Sequence, residues 1–253
     1  MRSISRMADV SINTVTKLLA DAGNACSEYQ DKAFHNLQCK RVRVNEIWAF
    51  CYSKEKNIPE ERKGGGGHGD IWTYTAICAD SKLVPSWLVG CRAAEAAYEF
   101  MKDLAGRMAP RIQLTTDASH AHLNAIDDAL GSDIDYGQIV KMYHSLDSVR
   151  KESIYNSLKC IKAKKYQVAG SPDRKHISTP YVERQNQNMR MRRFTWLTNA
   201  FSKKVENYCH ALALYFMFYN FVQIHSSLRV TPAMTAGITD HVWDFEKILA
   251  LLK

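Results

Sequence analysis

Nowhere in this chain do two cysteines enclose just two residues, as in a Cys-x-x-Cys pair. The seven cysteines lie at positions 26, 39, 51, 78, 91, 160 and 209. That pattern argues against a zinc ribbon, and the odd count against a complete disulfide framework; reduced thiols of a cytoplasm fit better. No apolar run follows the arginines at the N-terminus, so no signal peptide is expected. Long hydrophobic runs are also missing. The longest, Ala211 to Val222, is interrupted by Asn220 and is too short to span a bilayer, so no membrane partner is expected. No internal repeat and no extended low-complexity segment occurs. Acid is in short supply: 26 Asp+Glu against 34 Lys+Arg gives a formal net charge of +8. Such a surplus favours a polyanionic partner, because neutralising phosphates releases their counterions.

The hydrophobic fraction is 46% over 253 residues, enough for one sizeable core and a small appendage. Ile4, Met7 and Ala8 have helical spacing. Val10-Ser11 breaks it, and Ser11 is a good N-cap for a second helix carrying Val15, Leu18 and Leu19. Two short helices joined by a tight turn predict a helix-turn-helix over residues 1–24, its second helix placing Ile12, Asn13, Thr14, Thr16 and Lys17 toward the major groove of DNA. An ordinary helical hairpin fits the same residues. The motif starts almost at residue 1, so a truncated copy is expected. A helical linker follows over 25–40.

Arg41 to Tyr52 alternates as a strand. Gly64-Gly65-Gly66-Gly67 lies in a polar stretch and lacks the Lys-Ser/Thr ending of a phosphate loop, so it reads as a hairpin loop. Strands are predicted over 71–78, 83–89, 111–116 and 134–143, and helices over 93–108 and 119–130. Residues 144–180 carry Lys159, Lys162, Lys164 and Lys165 and read as a substrate-facing insertion, although a solvated loop fits them too. A basic helix from Val182 carries Arg184, Arg190, Arg192 and Arg193. A strongly apolar helix to Val222 and a packing tail around Thr231-Pro232-Ala233 complete the chain.

Two acids stand apart from the rest. Asp117 ends the apolar run Arg111-Ile112-Gln113-Leu114-Thr115-Thr116 and precedes a small-residue turn. Glu183 opens the basic helix, followed by one Arg and four amides without an acid. Read alone, Glu183 also suits a surface position in a helix's first turn. The order of three antiparallel strands, a helix, a strand ending in Asp, a helix, a fifth strand and a helix bearing Glu matches an α/β, ribonuclease H-like fold. Its mixed five-stranded sheet would be flanked by helices and preceded by the small helix-turn-helix. There the middle of the first strand and the end of the fourth lie side by side, and a later helix brings its acid to the same cleft. Carboxylates so gathered can hold Mg²⁺, and paired ions about 3.5–4 Å apart serve phosphodiester cleavage.

Several blocks carry a resemblance. Glu46-Ile47-Trp48, Gly69-Asp70-Ile71-Trp72-Thr73, Leu114-Thr115-Thr116-Asp117, Tyr181-Val182-Glu183-Arg184-Gln185-Asn186, Arg192-Arg193-Phe194-Thr195 and Leu228-Arg229-Val230-Thr231-Pro232-Ala233-Met234 resemble the insertion sequence one family of bacterial transposases, and the similarity runs over nearly the whole chain. The resemblance implies a three-carboxylate (DDE-type) transposase using Mg²⁺ or Mn²⁺. Such a protein binds the inverted-repeat ends of its element and target DNA, cuts and joins strands, and works as a homo-oligomer on DNA in the bacterial cytoplasm, associated with the nucleoid. It makes Asp117 and Glu183 the second and third metal ligands, and 41–235 the catalytic domain with a tail over 236–253. The first ligand should be an Asp, and Asn45 stands there. Glu46 is expected on the opposite face of its strand, and Asp70 is a candidate partial substitute. Impaired catalysis is therefore expected, with a non-cutting DNA-binding regulator as the alternative.

Overall fold

The computed structural model describes residues 1–252 except 63–67, 110, 118–119, 132, 144–159, 192–193 and 195–201. Six strands form one sheet in the order β3-β2-β1-β4-β5-β6. They are β1 (Arg41–Cys51), β2 (Gly69–Cys78), β3 (Trp87–Gly90), β4 (Ile112–Asp117), β5 (Ile134–Tyr143) and β6 (Cys160–Ala169). β1, β2 and β3 pair antiparallel, β1 pairs parallel with β4 and β4 with β5, and β6 closes the edge antiparallel to β5. The helices are α1 (Arg2–Met7), α2 (Ile12–Ala33), α3 (Ala94–Arg107), α4 (His120–Leu130), α5 (Pro180–Met191), α6 (Val205–Met217), α7 (Pro232–Thr235) and α8 (Phe245–Ala250). This mixed sheet with flanking helices is compatible with a ribonuclease H-like fold.

Alternation along the strands sends side chains to two layers. Val42 and Val44 of β1, Tyr74 and Ala76 of β2 and Leu114 of β4 meet Phe100, Met101 and Leu104 of α3 in one apolar core. The same core takes in Cys26 of α2 and Phe221, Trp243 and Ile248 from the C-terminal part of the chain. Tyr29 stacks edge-on to Phe221 and tilts against Trp243, so the tail expected from the sequence is a packing element. On the opposite face, Ile47, Ala49 and Cys51 of β1 pack with Val182 and Met189 of α5 and with Leu212 and Phe216 of α6. At the crossing of α2 and α6, a Cβ added to Gly23 would lie 2.6 Å from the His210 Cα, so only glycine allows this approach.

Three features differ from the expectations. The sheet has six strands rather than five, and the sixth lies inside the segment read as an insertion. Its Lys162 and Lys164 are exposed on an edge strand, where charge discourages pairing with further chains; that charge also hid the strand from a hydrophobic-pattern reading. The third strand is shorter than 83–89, because Leu83 to Ser86 form buried non-strand backbone around Pro85, which has no N–H to give to a ladder. Asn220, the polar residue in the longest apolar run, completes that segment: Val84 N donates to its Oδ1 at 3.0 Å, and its Nδ2 donates to Val84 O at 3.0 Å. Third, α2 is one continuous helix of 22 residues, with no break near residue 24 where a separate linker was expected. Ser11 caps it as predicted, its hydroxyl accepting from Thr14 N at 3.1 Å.

Candidate active site

Parity and register bring the predicted residues together. The β1–β4 ladder ends at Arg43↔Thr115, and Asn45 and Asp117 each lie two residues further along, on the same face of the sheet. Asp117 is level with Ile139 of β5, and Lys141 lies two residues beyond, again on that face. α5 crosses this face with Glu183 in its first turn. Its start is set by Pro180, which fits the first helical turn because its missing N–H would have no partner there. Ile177 fills the space above Gly137, where any Cβ would meet it at 2.6 Å, and so seats the approach to α5. The result is a cleft of about 490 Å³ lined by Asn45, Asp117, Lys141, Glu183, Asn186 and Arg190, with Glu46, Ile139 and Val140.

Each polar group of the cleft has a definite setting. Asn45 Oδ1 accepts from the Glu46 backbone N–H at 2.8 Å. Glu183 Oε1 accepts from the Lys141 ammonium and from the Thr179 hydroxyl. Burial alone would raise the Glu183 pKa, but these two hydrogen bonds and the Lys141 charge outweigh it and hold the carboxyl below its ordinary value. Asn186 Nδ2 donates to Glu46 O at 3.4 Å, tying α5 to β1.

Glu46 belongs to the other side of the strand, as alternation requires. Its Oε1 takes Arg92 Nε at 2.7 Å, and its Oε2 is buried with no hydrogen-bond partner among the described residues. Burial raises its pKa; Arg92 opposes the rise and the charge of Asp117 adds to it. Asp70 is remote from the cleft. It pairs in register with Phe50, and its Oδ1 accepts from Glu55 N at 3.0 Å, so it is a hydrogen-bonding residue of the β2 entry and no substitute ligand.

Of the residues expected to meet DNA, Asn13, Thr14 and Lys17 are exposed on the first turns of α2, and Thr14 also shares a 3.0 Å hydrogen bond with Ser11. Arg184 and Arg190 are exposed on α5, and Arg190 reaches the cleft. Arg192 and Arg193 lie outside the described residues. Sequence reasoning missed Lys141, Thr179 and Asn186. A signal for Thr179 was present, since a Thr followed by Pro is a helix-start pair. Lys141 had none, because its importance comes from strand pairing with a distant segment.

The donor set does not fit a divalent metal centre as it stands. Two carboxylates, Asp117 and Glu183, and the neutral amides of Asn45 and Asn186 face the cleft; the Asn45 amide oxygen is occupied by a backbone N–H, and Glu183 is engaged by a cation. Among the described residues no group of three His, Cys, Asp or Glu side chains is placed to hold a metal. No helix of the described residues is long and apolar enough to cross a membrane.

No protein-family model matches the chain, and no curated protein matches it either. Among solved structures it is similar to the Mos1 strand transfer complex, at 13% identity and a TM-score of 0.26 over 48% of this chain and 41% of that one. It is also similar to the piggyBac transposase synaptic complex with hairpin DNA, at 10% identity and a TM-score of 0.32 over 85% of this chain and 52% of that one. The chain spans about half the length of these solved chains or less. At TM-scores this low the likeness fixes neither the fold nor the function.

Proposed function

We propose that this chain is a DNA transposase of an insertion sequence by architecture, with a strand-cleaving centre impaired by Asn45. The observation that carries the reading is the convergence of Asn45, Asp117 and Glu183, far apart in sequence, on one cleft. The net charge of +8 and the exposed Arg184 and Arg190 beside it suit a polyanionic duplex, here the inverted-repeat ends of the element and its target. Asn13, Thr14 and Lys17 offer a second, separate contact with DNA, the helix-turn-helix role. A homo-oligomer assembled on DNA belongs to the same reading, as does a bacterial cytoplasmic, nucleoid-associated location.

Mg²⁺ or Mn²⁺ is the cofactor of this reading, which the cleft as it stands does not fit; an Asp at position 45 would supply the missing charge. Asp117 and Glu183 keep the roles of second and third ligand in this reading. The resident groups act without it in a simpler way: Lys141 neutralises Glu183, and Arg190 offers a cation to an incoming phosphate. That arrangement favours a second reading, a regulator that occupies element ends without cutting them.

Cleavage of a duplex carrying the element's own ends decides between the two. With Mg²⁺, the chain as written is expected to cut weakly or not at all, and Asn45→Asp to raise cutting at least about tenfold, the scale on which even residues that only support metal ligands act. Strong cutting that the replacement leaves unaltered would refute the role given to position 45. Salt-sensitive, end-selective binding without cutting in either protein would favour the regulator.

A further inference from the structure

On the same sheet face as Asn45, two residues back along β1, sits Arg43. It is 6% exposed, yet its Nε has no hydrogen-bond partner, and no carboxylate pairs with its guanidinium among the described residues. Its neighbour is the ring of Tyr181, with the guanidinium carbon 4.4 Å from the ring centroid. Lys82, 7% exposed, places its ammonium 3.3 Å from the same centroid. Lys82 is fixed there by a left-handed backbone (φ 61°) and by a hydrogen bond to Ala79 O. Arg184 stands nearby, close enough that it and Lys82 both disfavour a charged His225. The acid of this neighbourhood, Asp80, is already paired with Arg41.

Buried guanidinium groups ordinarily find a carboxylate or several acceptors, because an aromatic face returns less than burial costs. Arg cannot shed its proton to escape that cost. Arg43 and Lys82 thus form a pair of sequestered cations around an exposed Tyr181, at the positive end of the 12-residue helix α5. An anion is the missing partner.

We infer that Arg43, Lys82 and the Tyr181 turn of α5 form a phosphate subsite that takes one backbone phosphate of bound DNA beside the Asn45–Asp117–Glu183 cleft. Two strand residues span about 7 Å, so the phosphate held here lies within one or two nucleotides of the cleft. The subsite therefore holds the strand at a fixed distance from the cleft without reading bases. The DNA assignment rests on the functional reading above; the anion site itself does not.

Two measurements test it. In the first, inorganic phosphate is titrated against thermal unfolding of the full chain: wild type is expected to gain stability, and Arg43→Gln and Lys82→Gln to gain none. In the second, binding of a labelled duplex is followed against salt. The slope of log K on log salt should fall by about 0.9 in each variant, and Lys32→Gln, an exposed change on α2, should leave it unaltered. Tyr181→Leu, at an exposed position, guards against a folding defect at Arg43 and should weaken both responses. Folded variants with wild-type phosphate response and salt slope overturn the site. A lost phosphate response with an unchanged slope overturns the DNA assignment and leaves a site for free phosphate. Cleavage by Asn45→Asp bears only on the functional reading, so the two can fail separately.

Discussion

Successive side chains of β1 face two chemically different layers. Val42 and Val44 enter a core with Tyr74, Phe100, Met101 and Leu104, all buried from water. Arg43 and Asn45 point the other way, to a buried cation against Tyr181 and to a cleft that gathers two carboxylates. The first layer holds the sheet together through burial. The second is held by α5 at some cost, since it collects charges that a stability-driven surface would separate or leave in water. Such a division is what a functional face on a stable scaffold requires.

The largest effect that separates the layers comes from the first. Leu114→Ala removes a fully buried side chain of β4 and should cost about 2–5 kcal/mol in a denaturant titration. If phosphate binding by the folded fraction fell with it, the two layers would not be independent. Gly23→Ala comes next. The new methyl would meet His210 backbone at the α2–α6 crossing, and overpacking of that kind costs about 1–3 kcal/mol.

Much of the scaffold could be read from residues alone. β1, β5, α3 and α4 fall within a residue or two of their predicted limits, because period-two and period-3.6 patterns report directly on burial. β6 escaped notice because Lys162 and Lys164 give it the composition of a loop, and only pairing with β5 makes it a strand. Asn220 looked like an interruption until its amide was found bonded to both polar groups of Val84. Within the cleft, Asn45, Asp117 and Glu183 were legible as strand and helix positions. Lys141 and the setting of Arg43 were not, for they depend on which segments a three-dimensional sheet brings side by side.

Smaller effects concern pH and set a carboxylate on each side of β1 against the other. Glu46 has a raised pKa in the folded chain, so the folded state binds its proton more tightly than the unfolded one. Its favourable contribution is present at low pH and lost as pH rises through the raised value. Glu46→Gln should accordingly match wild type in stability near pH 3 and gain on it progressively toward neutrality. Glu183 has the opposite sign. Its lowered pKa adds stability above the ordinary carboxylate value, and that stability is lost as pH falls through the lowered one. Burial works against the lowering and Lys141 is its main source, so the loss of stability on acidification should be smaller in Lys141→Met than in wild type. Parallel acid titrations of wild type and Lys141→Met would contradict the pairing.

One measurement bears most directly on the claim that this cleft is a carboxylate centre short of one charge. The melting temperature of the chain as written and of Asn45→Asp is followed while Mg²⁺ is added. A third carboxylate beside Asp117 and Glu183 should repel its neighbours, so the variant should melt lower without the ion. Mg²⁺ should then restore it and raise it further by mass action, while the chain as written barely responds. An equal response in both proteins, or none in either, would contradict the account.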